Sequence, residues 1–135
     1  MRYGGRVRTH AEAVALFDRR REAWLREDLA AYLDCFAEDL VFGSPVHDPP
    51  LRGRAAFAEL VGRSNAALRP VAFDVHALVA QDALVLAEWT ITVEARADGR
   101  RLRWRGMSVA TYRSDGRIAT WREYWNPADL AASGG

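Results

Sequence analysis

Five residues near the C-terminal end, Trp121-Arg122-Glu123-Tyr124-Trp125, set one ionisable carboxyl between two indoles. In a strand side chains alternate, so Trp121, Glu123 and Trp125 share one face while Arg122 and Tyr124 share the other. A carboxyl held against apolar rings is poorly solvated. Its pKa rises above the unperturbed value of about 4.3, and it can then give or take a proton near neutral pH. Glu123 is therefore the candidate general acid/base. The competing reading is a structural ion pair with an inward arginine, Arg20 first, which would lower the pKa and leave the carboxyl inert. Both readings stay open on the sequence.

Other groups with chemical potential are fewer. Arg20 falls on the apolar stripe of the first predicted helix, where it could pair with Glu123, anchor a substrate oxyanion or carboxylate, or reach the rim. His47 and Asp48 could form a base with an orienting carboxylate, or a simple surface loop, since no serine or cysteine nucleophile stands beside them at motif spacing. His10, His47 and His76 lack metal-ligand spacing, so no metal is expected. Glycine-rich phosphate loops are absent, so no nucleotide cofactor is expected either. Trp24, Trp89, Trp104, Trp121 and Trp125 all fall on inward stripes, as core or as the wall of a site for a hydrophobic, cyclic ligand.

Composition bounds the rest. A chain of 135 residues, half of them apolar and 27% charged, is the size of one domain that folds without disulfide or metal. We therefore expect a single domain over 1–135, with a lead-in at 1–8, Pro127 closing the last strand and a mobile tail at 128–135. No apolar run has the length of a membrane span and no secretory leader is seen at the N-terminus, so a cytoplasmic protein without membrane contact is expected. All 19 basic residues are arginine and the net charge is +1. Arg100, Arg101, Arg103 and Arg105 cluster, but no nucleic-acid motif surrounds them, and they read as a solvated strand edge. The single Cys35 reads as core.

The elements that must position Glu123 follow from periodicity. Thr9 to Glu12 has the spacing of a capping box and opens a helix to about Glu27, with Ala13, Leu16, Phe17, Arg20 and Trp24 on one stripe. Asp28 caps a second helix, Leu29 to Ala37. A brief strand ends at Pro45, and Val46 to Arg52 is a stiff proline-rich loop. Gly53 to Ala67 forms a third helix, with Phe57, Leu60 and Val61 inward. At Pro70 the period changes from near 3.6 to 2. Strands are predicted at Val71 to Val79, Ala83 to Ala95 and Arg101 to Tyr112, and over the stretch around Glu123, separated by turn signals at Gln81-Asp82, Asp98-Gly99 and Ser114-Asp115-Gly116. In the first of these, Val71, Phe73, Val75, Ala77 and Val79 share a face. The pattern is α+β: three N-terminal helices packed on a strongly curved, mostly antiparallel sheet, a cone-shaped α+β barrel with a mouth suited to a ligand.

In order along the chain, Asp34 to Phe42, Ser44-Pro45, Leu51 to Phe57, Asp115-Gly116-Arg117-Ile118 and Trp121 to Trp125 resemble the SnoaL-like branch of the nuclear transport factor 2-like superfamily. The likeness spans about residues 10 to 130. Measured against ketosteroid isomerase, the resemblance places the base on Ser44, the tyrosine on Arg20 and the protonated aspartate on Ser108, so that set is not kept. Measured against limonene-epoxide hydrolase, it places the paired strand residues on Trp89 and Ile91 and the last aspartate on Glu123, one carbon longer. It thus implies that Arg20, Ser44, Trp89, Ile91, Ser108, Trp121 and Trp125 face a bound molecule around Glu123, and Trp24, Phe42 and Trp104 are expected to join them in binding it. Ser44 and Ser108 could donate hydrogen bonds there or only make room, and His47 and Asp48 lie at the rim. The expected function is cofactor-independent acid/base chemistry on a small hydrophobic polyketide- or terpenoid-like molecule: isomerisation, cyclisation, dehydration or epoxide opening. A non-catalytic ligand-binding or assembly protein of the same fold is the alternative. Relatives imply a homodimer.

Overall fold

The computed structural model describes residues 9–133; the lead-in at 1–8 and residues 134–135 lie outside them. The chain runs α1 (His10–Leu25), α2 (Leu29–Asp34), β1 (Phe36–Ser44), β2 (His47–Arg52), α3 (Arg54–Ala67), β3 (Leu68–Gln81), β4 (Leu84–Ala95), β5 (Arg101–Tyr112), β6 (Ile118–Trp125) and α4 (Pro127–Ser133). The six strands form one sheet in the order β2-β1-β6-β5-β4-β3. Every pairing is antiparallel except β1 with β6. The α+β reading from the sequence holds: α1 packs against β3, and α3 against β1 and β3, enclosing the core on one face of the sheet.

Local chemistry starts the helices. Thr9 Oγ1 accepts the Glu12 N–H (3.1 Å) and Glu12 Oε1 accepts the Thr9 N–H (3.4 Å), the reciprocal box predicted for α1. Asp28 caps α2 through the Ala31 N–H (3.1 Å). The buried face of α1 is Ala13, Phe17, Arg20 and Ala23. These meet Phe36, Phe57, Phe73 and Trp121 in a core rich in aromatic edges and faces. Away from that core the surface carries an ion-pair chain, with Asp34 bridged to both Arg19 (3.2 Å) and Arg117 (3.0 Å).

Four expectations need correction. The second helix stops at Asp34, because Phe36 already pairs with Ile118 in the sheet, so Cys35 is a buried cap residue rather than part of a longer helix. The proline-rich loop is the strand β2, joined to β1 by a tight turn that places Ser44 opposite His47. It tolerates Pro49 and Pro50 because it is an edge, and β3, which carries Pro70, is the other edge; both rims of the sheet are blunted in this way. In β3 the ladder shifts between Val75 and Ala77, and the inserted residue turns the alternation over. Leu78 and Ala80 therefore pack on the core, whereas Val79 is 61% exposed. Lastly, Pro127 does not end the ordered chain but opens α4, with Asn126 Oδ1 accepting the Ala128 N–H (3.0 Å).

Candidate functional site

On β6, Trp121, Glu123 and Trp125 do share the inner face, and the two indoles clamp the carboxyl between them. Trp121 Nε1 donates to Glu123 Oε2 (3.0 Å) and Trp125 Nε1 donates to Oε1 (3.2 Å). Neighbouring strands set this face. Glu123 lies opposite Ser108 and Trp125 opposite Gly106 of β5, which itself lies opposite Trp89 of β4. Gly106 is small for a reason: a Cβ there would stand 2.8 Å from Trp89 Cη2, 2.8 Å from the Tyr124 carbonyl oxygen and 3.0 Å from Trp125 Cβ. The missing methyl is what lets two tryptophans close over the sheet beside Glu123.

Glu123 stands in the wall of a half-open cavity of about 200 Å³ between the sheet and the helices α1, α2 and α3. Arg20, Trp24, Phe42, Ser44, His47, Ile91, Trp104, Trp121 and Trp125 line it too. Among the site residues expected from sequence, three are not in that wall. Trp89 is fully buried and its Nε1 donates to Ser108 Oγ (3.2 Å), so these two satisfy one another behind the wall. Asp48 is exposed and lines a separate surface groove that it shares with Ser44, His47 and Glu123. His47 is oriented by Ser44, whose Oγ lies 2.8 Å from Nδ1, rather than by Asp48. Wall residues that sequence reasoning treated only as core, or did not single out, include Tyr32, Phe36, Phe57, Phe73 and Asn65. The inward stripes of α2 and α3 carry several of the aromatic ones, but a stripe does not tell cavity wall from filled core.

Arg20 is buried at 3% exposure, a rare setting for a permanent cation. Its guanidinium carbon lies 3.9 Å from the Trp121 ring centroid, 5.0 Å from Phe17 and 5.3 Å from Phe73. Such aromatic faces attract a cation through their quadrupoles. Nη1 reaches the Tyr32 hydroxyl at 3.5 Å, while Nε and Nη2 have no hydrogen-bond partner. Arg20 and Glu123 do not approach within the 4.0 Å of an ion pair. Burial pushes the Glu123 carboxyl above its ordinary range, and the Trp121 N–H, the Arg20 charge, the Trp125 N–H and His47 only partly oppose it. Burial likewise raises the Tyr32 phenol against the pull of Arg20. Among the described residues no cluster of three or more His, Cys, Asp or Glu side chains could hold a metal. No helix among them is long and apolar enough to cross a membrane.

A largely apolar, half-open cavity between a curved six-stranded sheet and three helices, with one carboxyl in its wall, is the cone arrangement of the α+β class. The SnoaL-like domain profile matches residues 5–121, and the chain belongs to that family. Solved structures agree on the fold. An LEH-like epoxide hydrolase from M. tuberculosis is 24% identical over 92% of this chain and 90% of its own, with a TM-score of 0.78. A provisionally named polyketide cyclase from Xanthomonas campestris pv. campestris is 26% identical over 93% of this chain and 98% of its own, with a TM-score of 0.76. A provisionally named isomerase from Bacillus subtilis is 22% identical over 91% and 92%, with a TM-score of 0.79. No protein of curated description matches the chain.

Proposed function

We propose that this protein is a cofactor-independent enzyme that uses Glu123 as a general acid/base on a small cyclic hydrophobic molecule. The observation that carries this reading is a carboxyl in the wall of an apolar cavity, with burial raising its pKa and an indole N–H on each oxygen. Protonated, the group can deliver a proton to a substrate oxygen. Once ionised, its charge is held by the two indole donors and by the nearby Arg20 cation, so the conjugate base is tolerated for the reverse transfer. That pairing serves isomerisation, cyclisation, dehydration or epoxide opening, and the epoxide hydrolase, cyclase and isomerase names of the structural neighbours support this range. At about 200 Å³ the pocket is smaller than the ~300–1,000 Å³ of common ligand sites. It therefore favours a single-ring substrate, terpenoid-like or a small polyketide fragment, over a fused polycyclic one. A homodimer stays within the proposal, with the outer sheet face, where Met107 and Tyr124 are exposed, as its contact surface.

The test pairs turnover with titration. Wild-type protein and Glu123→Gln are assayed on single-ring epoxides and on single-ring β,γ-unsaturated ketones. Turnover of either class that falls by about 10²- to 10⁴-fold in the variant supports the assignment. Equal turnover in the two proteins removes it. So does a carboxyl-carbon NMR titration that finds Glu123 at or below the ordinary carboxylate pKa of about 4.3.

A further inference from the structure

Reactions in the proposed range move two protons. Shifting the double bond of a β,γ-unsaturated ketone takes a proton from the α carbon and puts one on the γ carbon; opening an epoxide with water puts a proton on the oxide oxygen and takes one from the water. The titratable side chains of the cavity wall are Arg20, Tyr32, His47 and Glu123. Arginine does not give up its proton, and burial pushes the Tyr32 phenol further from the neutral range. That leaves His47 beside Glu123, and imidazole is the side chain suited to proton traffic near neutral pH.

Local structure puts His47 there. β1 pairs with β6 through Phe42–Trp121 and Gly43–Arg122 and leaves off one step short of Glu123, where the chain turns back through Ser44 to His47. Ser44 Oγ accepts the Val46 N–H (3.2 Å) and lies 2.8 Å from His47 Nδ1. The imidazole also packs on Phe42, with 5.5 Å between ring centroids. Its Nε2 makes no hydrogen bond among the described residues and is not buried. Ser44, His47 and Glu123 line both the inner cavity and the surface groove, which adds Asp48, Arg122 and Tyr124. The two spaces therefore meet at these three side chains.

We infer that His47 is the second proton-transfer group of the site, working with Glu123 on the same substrate. This rests on the reading of the cavity as a substrate site and deepens it. One group takes a proton from the substrate or the attacking water while the other gives one, so the pair ends with its proton exchanged and no net proton gained or lost. The next turnover needs that proton back on the first group. Because both groups border the groove, water there can carry it between them. The balance is the same whichever of the two begins protonated. Ser44 is a positioning residue: its hydroxyl both donates and accepts, so it holds Nδ1 in either tautomer and leaves Nε2 for the reaction.

The experiment measures kcat and KM against pH for cyclohex-3-enone and cyclohexene oxide in wild type, His47→Gln, His47→Ala, Ser44→Ala and Glu123→Gln. Wild type is expected to show a two-limbed profile on one of them. His47→Gln should lose about 10²- to 10⁴-fold in kcat together with one limb, and Glu123→Gln should lose the other. Arg20 and Tyr32 from the cavity and Asp48, Arg122 and Tyr124 from the groove stay in every variant, so a limb that vanishes belongs to the replaced side chain. Added imidazole should restore part of kcat in His47→Ala, which a purely structural histidine would not allow. Ser44→Ala should lower kcat by about 2- to 10-fold, the worth of one ordinary hydrogen bond, with KM and both limbs kept. If His47→Gln does not fold, His47→Ala with imidazole and Ser44→Ala carry the decision. Wild-type kcat in His47→Gln, both limbs surviving there, or no recovery of His47→Ala with imidazole each overturns the inference, and Glu123 stands if Glu123→Gln is impaired. Impaired His47→Gln beside full turnover in Glu123→Gln instead discards the acid/base role of Glu123. Turnover of neither probe by wild type removes both.

Discussion

The same substitution, glycine to alanine, should move stability in opposite directions at two places in this chain. At Gly106 the added methyl meets Trp89 Cη2 and the Tyr124 carbonyl at 2.8 Å and Trp125 Cβ at 3.0 Å. Two of these neighbours cannot yield cheaply, because Trp89 is fully buried and the carbonyl is backbone. Overpacking of this kind costs about 1–3 kcal/mol, and the backbone clash points to the upper part, about 2–3 kcal/mol. With an unfolding entropy of about 2.1 cal/mol/K per residue, that lowers the melting temperature by about 7–11 °C. Gly62, inside α3, has nothing within 4 Å of the same methyl. There alanine removes the helix penalty of glycine, about 0.5–1 kcal/mol, and should raise the melting temperature by about 2–4 °C. Scanning calorimetry on the two variants decides it. The Trp125 indole N–H resonance reports whether the Gly106 methyl also displaces the clamp on Glu123. A Gly106→Ala protein that melts no lower than wild type would refute the packing argument, and with it the explanation of why this strand position is bare.

Two further outcomes concern polar groups on the inner face of the sheet. Burial raises the Glu123 pKa in the folded state above its unfolded value, so between those two values the native state binds more protons. Its contribution is fully present below the ordinary carboxylate pKa of about 4.3 and is lost as pH rises through the folded value. Urea midpoints of wild type should therefore fall relative to Glu123→Gln as pH climbs into the neutral range, and parallel profiles would mean the carboxyl is not desolvated. Ser108→Ala takes away the acceptor of the Trp89 indole, leaving a buried N–H unpaired at about 1–3 kcal/mol. Denaturant unfolding should show that loss while turnover stays unchanged, and the reverse pattern would return Ser108 to the ligand site.

Why some elements were legible and others not comes down to whether the signal was local. The capping box at Thr9, the Asp28 cap and the switch to period 2 near Pro70 are written in adjacent residues, and α1, α2 and the long strands begin where those signals say. The end of α2 and the strand β2 are decided by partners far along the chain: Phe36 leaves the helical pattern to join Ile118, and two prolines become strand because the position is an edge. The phase change in β3 left no mark, since Ala77 and Leu78 are both apolar enough to fit either face. The Asn126-Pro127 start of α4 was local and visible, a cap and then the residue best suited to a first helical position. It was read as a stop because proline halts the element before it and says less about the residues after it.

The site divides along the same line. The Trp-x-Glu-x-Trp clamp is contained in five residues of one strand, so alternation alone places both indoles beside the carboxyl, while the upward direction of the Glu123 pKa comes from burial, which the two indole N–H groups oppose. Alternation gives the face but not the depth. Trp89 and Ser108 are on the correct face yet spend their polar atoms on each other, which no spacing rule reveals. Arg20 is the opposite case: its stripe position was legible, but its meaning depends on Trp121 of β6, Phe73 of β3 and Tyr32 of α2 converging on it, and on Glu123 standing beyond ion-pair reach. The hydrogen bonds on the carboxyl are thus set locally by β6, whereas the cation that opposes the rise in its pKa comes from α1 across the fold. Two chains that keep the β6 clamp and differ at the Arg20 position should hold the carboxyl in the same place, and the chain without the arginine should hold it at a higher pKa, because the Arg20 charge opposes the rise that burial causes.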